Sequence, residues 1–105
     1  MQIVVCASCP LGKSGFAGRL RLATASLPFA TEVAEAECMS GCARESTIAF
    51  RSLGKVAYLF GDLAEADLAD LLTFAGHYNA SVDGAFVDAR VLGALRIKAL
   101  ARIPG

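Results

Sequence analysis

The stretch Gln2-Ile3-Val4-Val5-Cys6-Ala7-Ser8-Cys9-Pro10-Leu11-Gly12-Lys13-Ser14-Gly15-Phe16 decides how the rest of the chain is read. Gln2 to Cys6 is a β-branched run closing on a cysteine, the pattern of a short buried strand. Pro10 and Gly12 mark a loop over 7–13. From Ser14, a residue type suited to a helix N-cap, Phe16, Leu20, Ala23 and Leu27 recur at helical spacing until Pro28 stops the run. The chain therefore opens as strand, cysteine-bearing loop and helix.

Outward from this unit, Phe29 to Glu37 alternates Thr31, Val33, Glu35 and Glu37 with small alanines, a second strand that runs into Cys38-Met39-Ser40-Gly41-Cys42. Thr47 to Arg51 and Val56 to Phe60 flank Ser52-Leu53-Gly54-Lys55 and read as a β-hairpin. Asp62, with Glu65 in capping-box position, starts a helix whose apolar stripe is Ala64, Leu68, Leu71, Leu72 and Ala75. The order is β-α-β-β-β-α. Beyond Asn79, Asp83-Gly84 is a turn signal, Ala85 to Val87 reads as a short strand and Val91 to Leu100 as helical. No internal repeat or low-complexity segment is present.

A chain of 105 residues with 55% hydrophobic and 19% charged residues has the size and apolar content of one folded domain, 1–105. Ten basic residues balance ten acidic ones, which argues against nucleic acid or an anionic membrane surface as partner. The start has no basic n-region, and no apolar run approaches the ~20 residues that span a bilayer. The expected compartment is the cytoplasm, where clustered cysteines bind metal or do redox work more often than they form structural disulfides.

Cys6-x2-Cys9 and Cys38-x3-Cys42 are separated by twenty-eight residues, and each pair sits where a strand gives way to a loop. Successive strands are usually neighbours. If these two are, both loops leave the same end of the sheet and four thiolates face one point. Thiolates suit Zn²⁺ or an iron–sulfur cluster, and a four-cysteine set satisfies either. The bland alternative is a set of buried apolar cysteines. Pro10 after Cys9 and the x3 second spacing depart from a pair of zinc knuckles and tilt the reading toward a cluster, while spacing alone leaves zinc open.

Other motifs compete. Ala7 to Ser14 matches a relaxed phosphate-loop pattern, but Pro10 removes a backbone N–H from the cradle, and a short chain with a hairpin offers little of the parallel sheet such domains need. Cys6-x2-Cys9 also has the placement of a thioredoxin-type dithiol, which needs no second pair. His77 reads as a solvent-facing residue favoured by a helix C-terminus. Asn79-Ala80-Ser81 is a glycosylation sequon by letter only in a cytoplasmic protein. Lys13, Arg19, Arg21 and Arg44 offer a basic rim near the cysteines for an acidic redox partner, or an ordinary solvated face.

Cys38-Met39-Ser40-Gly41-Cys42-Ala43-Arg44, the strand after it, and Tyr58-Leu59-Phe60-Gly61-Asp62-Leu63 with its acidic helix resemble the second half of the thioredoxin-like [2Fe–2S] ferredoxins and of the ferredoxin-like subunit of respiratory complex I. The resemblance implies a thioredoxin-like α/β fold with a mixed sheet and a short C-terminal extension. It implies a [2Fe–2S] cluster on Cys6, Cys9, Cys38 and Cys42, electron transfer without transformation of a substrate, a redox protein as partner, and compatibility with a homodimer. The whole chain, through Leu95-Arg96 and Ala101-Arg102-Ile103-Pro104, is also similar to small bacterial proteins described as predicted metal-binding. That similarity implies the alternative: a zinc or other thiophilic metal module, structural or delivering metal to an accepting protein, with a link to cobalt or cobalamin metabolism. The x2 first pair is tighter than in the ferredoxins.

Overall fold

The protein is described by a computed structural model over residues 1–7, 10–37, 46–84, 86 and 89–103. The β-branched strand β1 (Gln2–Cys6) pairs in parallel with β2 (Glu32–Ala36) and antiparallel with β3 (Ile48–Arg51). β4 (Ala57–Phe60) adds antiparallel to β3, and β5 (Ala99–Ile103) antiparallel to β4, so the mixed five-stranded sheet has the order β2-β1-β3-β4-β5. A parallel pair needs a crossover, and α1 (Pro10–Lys13) and α2 (Phe16–Thr24) supply it. β3 and β4 are joined by a tight turn in which the Lys55 N–H bonds the Ser52 carbonyl at 3.0 Å. Its third position has φ 77°, a left-handed conformation that Gly54 adopts without steric cost.

The pleat sorts the strands into two faces. Ile3 and Val5, Ile48 and Phe50, and Tyr58 and Phe60 point to the face carrying α2 and α3 (Leu68–Ala80), and all are buried. Phe16, Leu20, Leu71, Phe74 and Tyr78 close that core from the helices. Its centre is aromatic: the Phe50 and Phe74 rings meet edge-to-face at 4.9 Å, and Tyr58 and Phe74 at 5.2 Å. Both tyrosine hydroxyls are satisfied, Tyr58 donating to the Gly84 carbonyl at 2.7 Å and Tyr78 to that of Val56 at 2.6 Å. On the opposite face the row Ala34, Val4, Ala49, Leu59 and Ala101 is only half-buried.

The differences from the expected elements have local causes. Residues 10–13 form a helical turn rather than loop, because proline is well suited to a first helical position, where its missing N–H costs nothing. Ser14 does not cap the next helix. Its hydroxyl donates to the Leu11 carbonyl at 2.6 Å, and left-handed Gly15 (φ 86°) precedes α2, which ends at Thr24, before Pro28. Asp62 and Glu65 do not form the capping box. Asp67 does that work, its carboxylate accepting the Ala64 N–H at 2.8 Å across a 3-10 turn, Glu65–Asp67, that leads into α3. Asp67 also pairs with Lys98 at 2.6 Å. The expected helix over 91–100 is a 3-10 segment, Ala89–Lys98, broken at Gly93 (φ 56°), followed by the unforeseen strand β5. Of the expected strand at 85–87, Ala85 and Val87 lie outside the described residues and Phe86 is not in a strand.

Candidate metal centre

Cys6 closes β1 and is 1% exposed. Because β2 runs parallel to β1, the segment entering Cys38 leaves the sheet at the end where Cys6 sits. The Ala7 N–H bonds the Ala36 carbonyl at 2.7 Å, and the Cys6 Sγ lies 3.7 Å from the carbonyl of Glu37, the residue before Cys38. The chain returns at Ser46, and the same end of the sheet receives it. Thr47 accepts the Cys6 N–H at 3.1 Å, and the Ser46 Oγ accepts the Leu11 N–H at 3.2 Å. Ser46 holds a left-handed φ of 62°, a cost of about 1–3 kcal/mol for a non-glycine residue. Its carbonyl accepts the Leu63 N–H at 3.3 Å, which helps fix it.

Both flanks of the Cys38–Cys42 segment are therefore hydrogen-bonded to residues on either side of Cys9. Cys9, Cys38, Cys42 and Arg44 themselves lie outside the described residues. Among the described residues no three His, Cys, Asp or Glu side chains come together, and Cys6 is the one candidate ligand so described.

Gly12 and Ser14 of the phosphate-loop pattern are engaged in packing and local hydrogen bonds, while Ser8 and Cys9 lie outside the described residues. A Cβ on Gly12 would meet the Cys6 carbonyl oxygen, with the Cys6 carbonyl carbon at 2.8 Å and the Ala7 Cα at 2.9 Å, so this glycine lets α1 sit directly on the backbone of the first cysteine. The Ser14 hydroxyl is engaged by the Leu11 carbonyl and accepts from Arg19 at 3.0 Å, while Lys13 is exposed. The basic rim is partly spent on the fold as well. Arg19 is paired with Glu65, and Arg21 donates to the Val33 carbonyl at 3.2 Å.

One buried polar atom beside Cys6 has no partner. Thr47 is 1% exposed, and no hydrogen bond reaches its Oγ1. Such an orphaned hydroxyl costs about 1–3 kcal/mol. The antiparallel register places Val4 opposite Ala49 and Val5 opposite Ile48. One step further it sets Cys6 opposite Thr47, both on the face away from the helices. There they are fully buried although the row below is half-open. No pattern in the sequence singled out Thr47 or Ser46, since their importance depends on a strand register that only pairing reveals.

His77 is exposed near the C-terminus of α3, which the Lys55 Nζ ties to the hairpin turn through the Tyr78 carbonyl at 2.7 Å. It is thus at the end of the sheet opposite Cys6. An open depression lined by Gln2, Glu32, Arg51 and Lys55 lies at that far end too. Among the described residues no helix is long and apolar enough to cross a membrane.

One family model matches the chain, over residues 3–105, and its description is Protein of unknown function (DUF1636). No curated protein and no solved structure matches it.

Proposed function

The chain belongs to that family of unknown function, and we propose that it is a thioredoxin-like electron carrier holding a [2Fe–2S] cluster on Cys6, Cys9, Cys38 and Cys42. The observation that carries this reading is the tethering of both flanks of the second cysteine pair to the first pair's strand and helix, through Ala7–Ala36, Cys6–Thr47 and Leu11–Ser46. That bonding holds Cys6 and the described residues that flank the second pair at one end of the sheet. The sheet order supports the fold: a parallel β-α-β pair, an antiparallel hairpin added beside it, then a helix on the shared face.

The donor set fits the group. Four thiolates supply two ligands to each iron, and a buried hydroxyl without a partner stands beside the first of them. The cluster would supply one-electron chemistry. The chain's own residues bind it, exclude water around Cys6 and fix the ligand loops. Loading and redox chemistry are tested together. Chemically reduced, anaerobically purified protein should give the paramagnetic resonance signal of a one-electron-reduced two-iron centre, and Cys38→Ser should lose most of its iron. A silent spectrum from iron-replete protein, or full iron occupancy in Cys38→Ser, contradicts the assignment.

A second reading, zinc in the same four-cysteine set, is favoured by one specific feature: the x2 spacing of Cys6 and Cys9 suits a tetrahedral knuckle.

A further inference from the structure

We propose that the Thr47 hydroxyl is a hydrogen-bond donor to the metal-bound thiolate of Cys6, a positioning residue that sets the reduction potential of the centre. The inference rests on the cluster reading above and deepens it. Three observations lead to it. Thr47 is 1% exposed yet its Oγ1 has no partner, in a fold where the hydroxyls of Tyr58, Tyr78, Thr24 and Ser46 are all bonded. Buried polar groups are kept where a partner exists, and valine would fill the same space without the penalty. Next, the Cys6 N–H bonds the Thr47 carbonyl at 3.1 Å, so the two residues are cross-strand neighbours on one face.

The third observation concerns the sulfur. With the thiol protonated, the Cys6 S–H has the Glu37 carbonyl to donate to at 3.7 Å. A metal-bound thiolate has lost that proton and only accepts, so the Glu37 carbonyl ceases to be a partner and a hydrogen-bond donor becomes a favourable neighbour. Thr47, the cross-strand neighbour of Cys6, carries an uncommitted O–H. Loading therefore exchanges one hydrogen bond for another: the thiol proton leaves to solvent on metal binding, and the Thr47 O–H turns to the sulfur. Donors to cluster sulfurs stabilise the more negative, reduced state and raise the potential.

The test compares Thr47→Val with Thr47→Ser in anaerobically loaded protein. At a fixed poise near the wild-type midpoint, Thr47→Val should show a reduced-to-oxidised ratio about tenfold lower, 59 mV for a one-electron couple, with Thr47→Ser close to wild type. In metal-free protein Thr47→Val should denature no earlier than wild type, because it removes an unsatisfied hydroxyl; a purely structural hydroxyl would make it less stable. Should Thr47→Val fail to fold, Thr47→Ala carries the same potential measurement. An unchanged potential in a fully loaded Thr47→Val or Thr47→Ala protein, or an equal shift in Thr47→Ser, overturns the inference while leaving the cluster reading intact. Wild-type protein that takes up no iron and sulfide overturns both.

Discussion

At the scale of single residues, two positions separate what composition suggests from what contact imposes. Gly12 and Gly18 are both helical glycines, but only Gly12 faces backbone, that of Cys6 and Ala7, while nothing lies within 4 Å of a Cβ built on Gly18. Gly12→Ala should therefore cost about 1–3 kcal/mol by overpacking and lower metal occupancy by pushing α1 off the first cysteine. Gly18→Ala should be stabilising by about 0.4–1 kcal/mol. Chemical denaturation and metal analysis of the two variants read both effects. Asp67 combines a cap with an ion pair, its side chain 11% and that of Lys98 21% exposed. Asp67→Ala leaves a half-buried ammonium unpaired and an N–H uncapped, for an expected loss of about 2–4 kcal/mol by denaturant titration. Asp67→Asn keeps an acceptor for the Ala64 N–H and should lose less.

At the scale of elements, the strands with β-branched or aromatic weight were legible. Those at Gln2, Ile48 and Ala57 follow from Ile, Val, Phe and Tyr in alternation. β5, Ala-Leu-Ala-Arg-Ile, was not legible, since four of its five side chains are weak strand formers and its identity comes from the free edge of β4. The helix caps misled for a related reason. Asp62 and Glu65 have the right spacing, but Asp62 takes a left-handed φ of 55° and Glu65 is drawn to Arg19, leaving Asp67 to close the turn. At the aromatic centre, burial and then the neighbouring Tyr58 hold the Tyr78 hydroxyl above its ordinary pKa of 10.0, partly offset by a backbone contact at Ser52. A raised folded-state pKa means the folded form keeps its proton longer than the unfolded one. Stability from this group is full below pH 10.0 and falls as pH climbs through the raised value. Tyr78→Phe should flatten that alkaline decline in urea midpoints measured above pH 10.0.

At the scale of the molecule, the first two strands as parallel neighbours, ending together at Cys6 and just before Cys38, were legible, because successive strands of a β-α-β unit usually lie side by side. The bonds that hold this arrangement were not. Ala7 to Ala36, Cys6 to Thr47 and Leu11 to Ser46 are links between segments about 30 to 40 residues apart, set by register and by a left-handed serine rather than by any local pattern. These links lie at one end of the sheet, whereas His77 and the open depression belong to the other. The central claim is that the four cysteines hold a two-iron cluster. It is tested most directly by measuring iron, zinc and acid-labile sulfide per chain in one anaerobically purified, iron-replete sample. The account predicts iron and sulfide in equal amounts with little zinc. A colourless protein with stoichiometric zinc and no sulfide would contradict it.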